Sequence, residues 1–271
     1  MRIRWGIAAG AAALILCILL FPAAGEGIIG AARAEKTDTL VIDPGHGGID
    51  GGAVSADGVS EKNINLAIAL ELQRLAERDG WRVVMTRSKD QGLYTGVEND
   101  GTEQMEITGR RSIRSLKTED LRERRRIIDT TEPTLALSIH LNSFKEDPRV
   151  HGAQTFYSSA AAEAVEEKSK LLAGRVQEAL VAGLDDGTER TPLGKKNVLL
   201  LKEPTVPTVI VECGFLSNRE EAKKLADENY QKKIASLIYD GIMEFSGKER
   251  AKPLDIIDST ADAGVVRGGS V

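Results

Sequence analysis

A short apolar segment, Thr39-Leu40-Val41-Ile42-Asp43, stops at Pro44 and a cluster of glycines, after which the spacing of apolar residues changes from that of a strand to that of a helix. Ile64, Ala67, Ile68, Leu72 and Leu75 then recur along one helical face until Gly80, and Trp81 to Met85 reads as a second strand. A helix placed between two strands is the connection that parallel strands require. The chain is therefore expected to begin an α/β sheet with parallel neighbours.

Further along, residues 88 to 117 are polar and Gly-containing, and a stretch of this length is read as a functional or mobile loop bordering a groove. Leu121 to Ile128 reads as a short helix whose Arg122, Arg124, Arg125 and Arg126 form a solvated face. Strands are expected over Thr134–Ile139, near Ala153–Tyr157, over Asn197–Leu201 and over Thr208–Val211. Helices are expected from about Ala160 to Leu184 and from about Glu228 to Phe245. Residues 247–271 turn charged and then small and Gly-rich, which predicts a disordered tail.

Ahead of this pattern, Arg2 and Arg4 precede a run from Trp5 to Gly25 without a single charge. Such a run has no polar face and reads as an export signal or a membrane anchor. Ala32-Arg33-Ala34 offers the small residues of a cleavage site, so residues 1–34 are either removed or retained as an N-terminal anchor. The remainder, 35–246, is expected to be one catalytic domain, exported across the cytoplasmic membrane. A chain released after Ala34 keeps only Cys213 and can form no internal disulfide. It carries 33 basic and 40 acidic residues, once Arg2, Arg4, Arg33 and Glu26 are taken from the 36 and 41 of the whole chain. A net charge of that sign, with few aromatics, excludes nucleic acid as a natural partner.

The chemistry concentrates at strand ends. His46 and His140 each follow a predicted strand, at the carboxyl edge where open α/β sheets gather side chains around ligands. Glu61 opens the first helix beyond the glycine-rich loop, so its carboxylate falls near the same edge. Taken alone, it would suit a helix N-terminus. Two imidazoles and one carboxylate leave a coordination position on Zn²⁺ for water, as catalytic zinc sites do, although such a set also binds Fe²⁺. Glu212 directly follows the strand Thr208–Val211 and is placed to take a proton from water and pass it to a leaving amine. Asn142 is a candidate substrate-binding residue and Asp43 a candidate partner that orients a ligand histidine. His151, in a turn with Pro148 and Gly152, is left outside the site. The glycines at 45, 47, 48, 51 and 52 lack the Lys-Ser/Thr pair of a phosphate loop and read as backbone room beside a metal.

Val41-Ile42-Asp43-Pro44-Gly45-His46-Gly47-Gly48, Ser60-Glu61-Lys62, Ser138-Ile139-His140-Leu141-Asn142 and Val211-Glu212-Cys213-Gly214-Phe215-Leu216-Ser217-Asn218 occur in this order. Together they resemble the type-3 family of zinc-dependent N-acetylmuramoyl-L-alanine amidases, over about residues 39 to 246. The resemblance implies a single α/β/α domain with a mostly parallel, mixed central sheet flanked by helices. It also implies Zn²⁺ bound at His46, Glu61 and His140, Glu212 as the catalytic carboxylate, and peptidoglycan as substrate. Leu141 and Cys213 depart from the residues usual at their positions, and neither is a ligand. The stretch from Arg110 to Ser143, with Gly152 to Tyr157, is similar to the germination-specific, spore-cortex branch, which removes stem peptides so that muramic-δ-lactam can form.

Two rivals make different demands on the residues. A zinc carboxypeptidase would want a close His-x-x-Glu pair, whereas 14 residues separate His46 from Glu61. A catalytically silent wall-binding protein on the same fold would have lost Glu212 or a ligand, and this chain has kept all four. No separate wall-binding module is visible in the residues, so targeting falls to the anchor, the groove or an activating partner protein.

Overall fold

The computed structural model describes residues 37–95, 97–99, 105–107 and 112–250. The expected export segment at 1–34 and all but the first residues of the expected tail lie outside them. The apolar run after Thr37 forms β1 (Thr39–Pro44), every residue of it buried, and the next apolar periodicity forms α1 (Glu61–Arg78), as expected. Then follow β2 (Arg82–Met85), the strands β3 (Val97–Asn99) and β4 (Met105–Ile107), α2 (Ile113–Thr131) and β5 (Leu135–Asn142). The chain continues through β6 (Gln154–Ser158), α3 (Glu163–Leu184), β7 (Leu193–Lys195), β8 (Thr208–Phe215), α4 (Arg219–Leu225) and α5 (Glu228–Ser246).

Six strands form one sheet in the order β2-β1-β5-β8-β6-β7, and β3 and β4 pair as a separate antiparallel ribbon. Every neighbouring pair in the large sheet is parallel except β6 with β8. The fold is a single α/β/α domain with a mixed, largely parallel sheet. From β1 the chain goes outward to β2 and then returns to β5 on the other side of β1. That reversal opens a crevice at the carboxyl ends of β1 and β5, where such sheets bind ligands.

Alternation along the strands divides their side chains between two faces. Leu40, Ile42, Leu135, Leu137, Ile139, Val209 and Val211 meet α1, α3 and α5 in the main core. Fully burying side chains of this kind stabilises by roughly 1.5–3 kcal/mol each. The opposite face carries a smaller cluster, Val41, Ala136, Ile128 of α2 and Leu200.

Three expectations are corrected. The strand placed at 197–201 is a 3₁₀ turn at Leu199–Leu201, and the strand itself is the three-residue β7 upstream. A run of leucines has no alternation to separate a buried turn from a strand. The helix placed at 121–128 extends over Ile113–Thr131, opened by Ser112, whose side chain accepts a hydrogen bond from Ser115 N. The residues read as one loop from 88 to 117 thus contain β3, β4 and the first turn of α2.

Candidate active site

β1 delivers its chain into a tight loop at the sheet edge, and two buried arginines hold that loop. Arg87 donates from Nε to Pro44 O at 2.9 Å and from Nη2 to Gly45 O at 2.9 Å and Lys62 O at 2.8 Å. Arg124 donates from Nη1 to Pro44 O and from Nη2 to His46 O, both at 2.6 Å. Three successive carbonyls, at 44, 45 and 46, are therefore fixed by guanidinium groups. His46 itself has φ 63°, a left-handed conformation that costs a non-glycine residue about 1–3 kcal/mol and persists only when its surroundings dictate it. Gly45 is required for a separate reason. A Cβ at this position would lie 2.1 Å from the His140 imidazole, so only glycine lets the two strand ends come together.

His46, Glu61 and His140 converge, their ligand atoms all within 4.8 Å of one another. Glu61 Oε1 lies 3.2 Å from His46 Nε2 and 3.0 Å from His140 Nδ1. Tetrahedral zinc with bonds of about 2.05 Å sets its donors about 3.3 Å apart, so these spacings suit the ion. Backbone N–H groups orient the carboxylate, Leu141 N donating to Oε1 at 2.9 Å and Ala53 N to Oε2 at 2.8 Å. Glu61 therefore starts α1 and also serves the site. Burial alone would raise its pKa, but hydrogen bonds and charge from both histidines hold it well below the usual carboxylate range. For His46, burial opposes protonation, yet hydrogen bonds and charge from Asp50 and Glu61 outweigh it and raise the pKa to about 9.

Asp50, not Asp43, holds the His46 ring. His46 Nδ1 lies 2.9 Å from Asp50 Oδ2, which leaves Nε2 for a metal. Lys117 of α2 pairs with the other Asp50 oxygen at 2.7 Å. Asp43 instead accepts from Thr86, Ser138 and Arg124, at 2.6, 2.6 and 2.7 Å, entirely buried. It reaches the site one step removed, by anchoring the arginine that binds His46 O. The reading of the arginine run as a solvated face is corrected at the same point. Arg124 is 1% exposed and also pairs with Asp120 at 2.6 Å, whereas Arg126 stays outside with Glu123. Sequence reasoning missed Arg87, Arg124 and Asp50. A signal was present for one of them: Leu116, Asp120, Arg124 and Ile128 are four residues apart, a charged pair inside an otherwise apolar stripe.

Glu212 stands on β8 in register with His140 on β5, so the two side chains share one face of adjacent parallel strands. Its Oε2 is buried without a hydrogen-bond partner among the described residues. Burial is the main influence on its pKa and raises it, as does the nearby Glu61 charge, with the two histidines opposing. Beside it opens a cleft of about 310 Å³ lined by His140, Asn142, Phe156, Lys195, Ile210 and Glu212, among others. Asn142 thus reaches the cleft, its Oδ1 accepting from Ser143 N at 2.8 Å. His151 lies apart, its ring against Arg149 O and Asp186 O.

Two imidazoles and a carboxylate at the switch point of a parallel sheet, with a further buried carboxylate alongside, are the arrangement of a metal-dependent hydrolase. The family model for N-acetylmuramoyl-L-alanine amidase, Amidase_3, matches residues 40–244, and the chain belongs to this family. It is an amidase that cleaves stem peptides from peptidoglycan, with His46, Glu61 and His140 as its zinc site. The germination-specific N-acetylmuramoyl-L-alanine amidase of Bacillus subtilis (strain 168) is 36% identical over 206 residues, covering 76% of this chain and 78% of that one. The CwlD amidase of Clostridioides difficile, solved in complex with the GerS lipoprotein, is 39% identical with a TM-score of 0.69, over 78% of this chain and 99% of that one. An N-acetylmuramoyl-L-alanine amidase of Clostridium difficile 630 is 28% identical with a TM-score of 0.62, over 78% of this chain and 97% of that structure.

Proposed function

We propose that this chain hydrolyses the amide joining the lactyl group of N-acetylmuramic acid to L-alanine, with Glu212 as the catalytic carboxylate. The observation that carries this reading is the Glu212 oxygen without a hydrogen-bond partner among the described residues, beside the three converging ligands. A buried carboxylate without a partner is costly unless it has work to do on a ligand. His46, Glu61 and His140 would hold Zn²⁺, which when bound would supply a Lewis acid for the scissile carbonyl and the attacking water. Glu212 accepts the water's proton and returns it to the departing L-alanine nitrogen, so one group serves as base and then acid. The burial that raises its pKa also makes it a stronger base than an exposed carboxylate. Asn142 hydrogen-bonds the substrate backbone along the cleft.

The setting we infer is spore-cortex maturation, where removal of stems prepares muramic-δ-lactam, and germination. Similarity to the germination-specific enzyme of Bacillus subtilis supports it. The catalytic unit is placed within residues 35–246, behind an export segment at 1–34 that is either cleaved or kept as an anchor, and ahead of a tail at 247–271. An activating partner protein is the second element of this reading, favoured by the lipoprotein complex of the Clostridioides difficile relative.

Mass spectrometry of peptides released from purified peptidoglycan tests the chemistry. Stems that begin with a free L-alanine amine are expected with zinc, and none after chelation or in Glu212→Ala. Release by Glu212→Ala at the wild-type rate would remove Glu212 from the mechanism. Cortex from spores of a strain lacking the gene should lack muramic-δ-lactam, and normal lactam content there would refute the cortex role.

A further inference from the structure

One wall of the cleft carries a cation that the proposed mechanism does not use. β7 is a three-residue edge strand pairing with β6 in a register that sets Leu193 opposite Phe156 and Lys195 opposite Ser158. Phe156 in turn lies opposite Ile210, two residues before Glu212 on β8. These short steps across the sheet bring Lys195 and Glu212 to the lining of one cleft, with Phe156 between their strands. Lys195 Nζ stands 4.8 Å from the centroid of the Phe156 ring.

Three features of this lysine bear on its use. It is exposed and, like most of the described lysines, forms no ion pair with a carboxylate among the described residues, so its ammonium is available to a ligand. The aromatic face also restrains a side chain that otherwise loses much rotamer freedom on binding, which lowers the cost of using it for recognition. Finally, Glu212 lines the same cleft and the chain carries a net charge of −5, so Lys195 adds to the zinc site a second positive charge that an anionic ligand would meet there. A stem peptide is such a ligand wherever it presents a free carboxylate.

We propose that Lys195, held against Phe156 on the wall of the catalytic cleft, binds a carboxylate of the stem peptide and makes the enzyme selective for acidic over amidated stems. The inference rests on the cleft beside Glu212 being the seat of the stem peptide. Lys195 is then a specificity residue, and its ammonium donates charge-assisted hydrogen bonds to the carboxylate without taking part in bond cleavage.

The test compares two synthetic N-acetylmuramoyl peptides that differ only in whether their carboxylates are free or amidated. With the zinc-loaded full chain, kcat/KM should favour the acidic stem by about fivefold to tenfold, the size expected of a partly exposed charged hydrogen bond. That ratio should fall towards one in Lys195→Ala, drop below one in Lys195→Glu and survive in Lys195→Arg, with the change carried by KM. An unaltered ratio in Lys195→Glu would overturn the proposal. Equilibrium binding of both stems to Glu212→Gln separates this outcome from failure of the catalytic reading. If neither stem is cleaved by the wild type, the binding preference still decides: its loss on adding Lys195→Glu supports the assignment, and equal binding of the two stems refutes it.

Discussion

The two faces of the sheet are built on different principles. The face towards α1, α3 and α5 is almost wholly apolar, from Leu40 and Ile42 in β1 through Leu172 and Val176 in α3 to Ile238 and Ile242 in α5. The face towards α2 starts with Val41, Ala136 and Ile128 and then becomes ionic, with Asp43, Ser138, Thr86, Arg87 and Arg124 all buried. Both exclude water; the first meets the metal loop at the start of α1, where Glu61 sits and Asn65 donates to Gly45 O at 3.3 Å, while the second supplies the arginine that binds the carbonyls of residues 44 and 46. Apolar contacts hold the layers together without fixing a direction, whereas the guanidinium groups of Arg87 and Arg124 address individual carbonyls of residues 44 to 46. Bulk stability thus rests mainly on the first face, and the placing of the loop mainly on the second.

Arg124→Ala should produce the largest effect, because it leaves Asp43 buried and ionised without its cation. Loss of one partner of a buried pair costs about 3–5 kcal/mol. Urea unfolding should show that loss, and zinc affinity of the folded protein should fall with it as the His46 loop is released. Ile238→Ala on the apolar face, with Ile238 fully buried, should cost about 2–5 kcal/mol while leaving zinc affinity unchanged. The division between the faces fails if Arg124→Ala keeps wild-type zinc affinity, or if Ile238→Ala weakens it.

The same division explains what could be read from the residues. The apolar face follows spacing: a period near 3.6 in Ile64, Ile68, Leu72 and Leu75 and short apolar strands suffice to place α1, β1 and the core. The ligands were legible because each stands at a strand end or a helix start. The supports were harder to read, since the loop partners of Arg124 lie about 80 residues away in the chain at Asp43, Pro44 and His46, and the local mark of the inward arginine is its four-residue spacing from Asp120 and Ile128. Asp43 was expected to orient a ligand histidine; its partners are instead Thr86, Ser138 and Arg124 of α2, and the partner of the His46 ring comes from the loop at Asp50.

Asp50→Asn offers a smaller and more local change. It removes the charge that orients His46 Nδ1, and loss of such a partner usually lowers metal affinity about 10–100-fold. Calorimetric zinc titration should show that decrease, and metal-free unfolding should also shift to lower urea because the variant loses the pairs of Asp50 with His46 and Lys117; an unchanged affinity would assign the orientation of His46 to its backbone alone. Asp43→Asn probes the ionic face by pH. Burial opposes ionisation of Asp43, but Arg124 and hydrogen bonds from Ser138 and Thr86 prevail and hold the pKa below 3.8. A carboxyl shifted in that direction adds stability above its unfolded value and gives it up as pH falls towards the folded one. The wild type should therefore exceed the variant by about 1.5–3 kcal/mol, evenly between pH 7 and 5, and the gap should narrow below pH 4. A gap that stays constant down to pH 3 would mean the lost contribution is packing and not charge.

The smallest effect is expected two residues along the same helix. Arg126 pairs with Glu123 at 2.6 Å, as short as the contact between Arg124 and Asp120, and both are near neighbours on α2. Distance alone would rank them equally. Their surroundings differ, because Arg126 is 61% exposed at its side chain and Arg124 only 1%. Water screens the first pair and already solvates both charges when it is broken, while the second has no solvent to fall back on. Arg126→Ala should unfold at the same urea concentration as wild type within error and bind zinc equally well. If it destabilised the protein as much as Arg124→Ala, the arginines would be acting through the helix as a whole, and the assignment of loop support to one inward guanidinium would not stand.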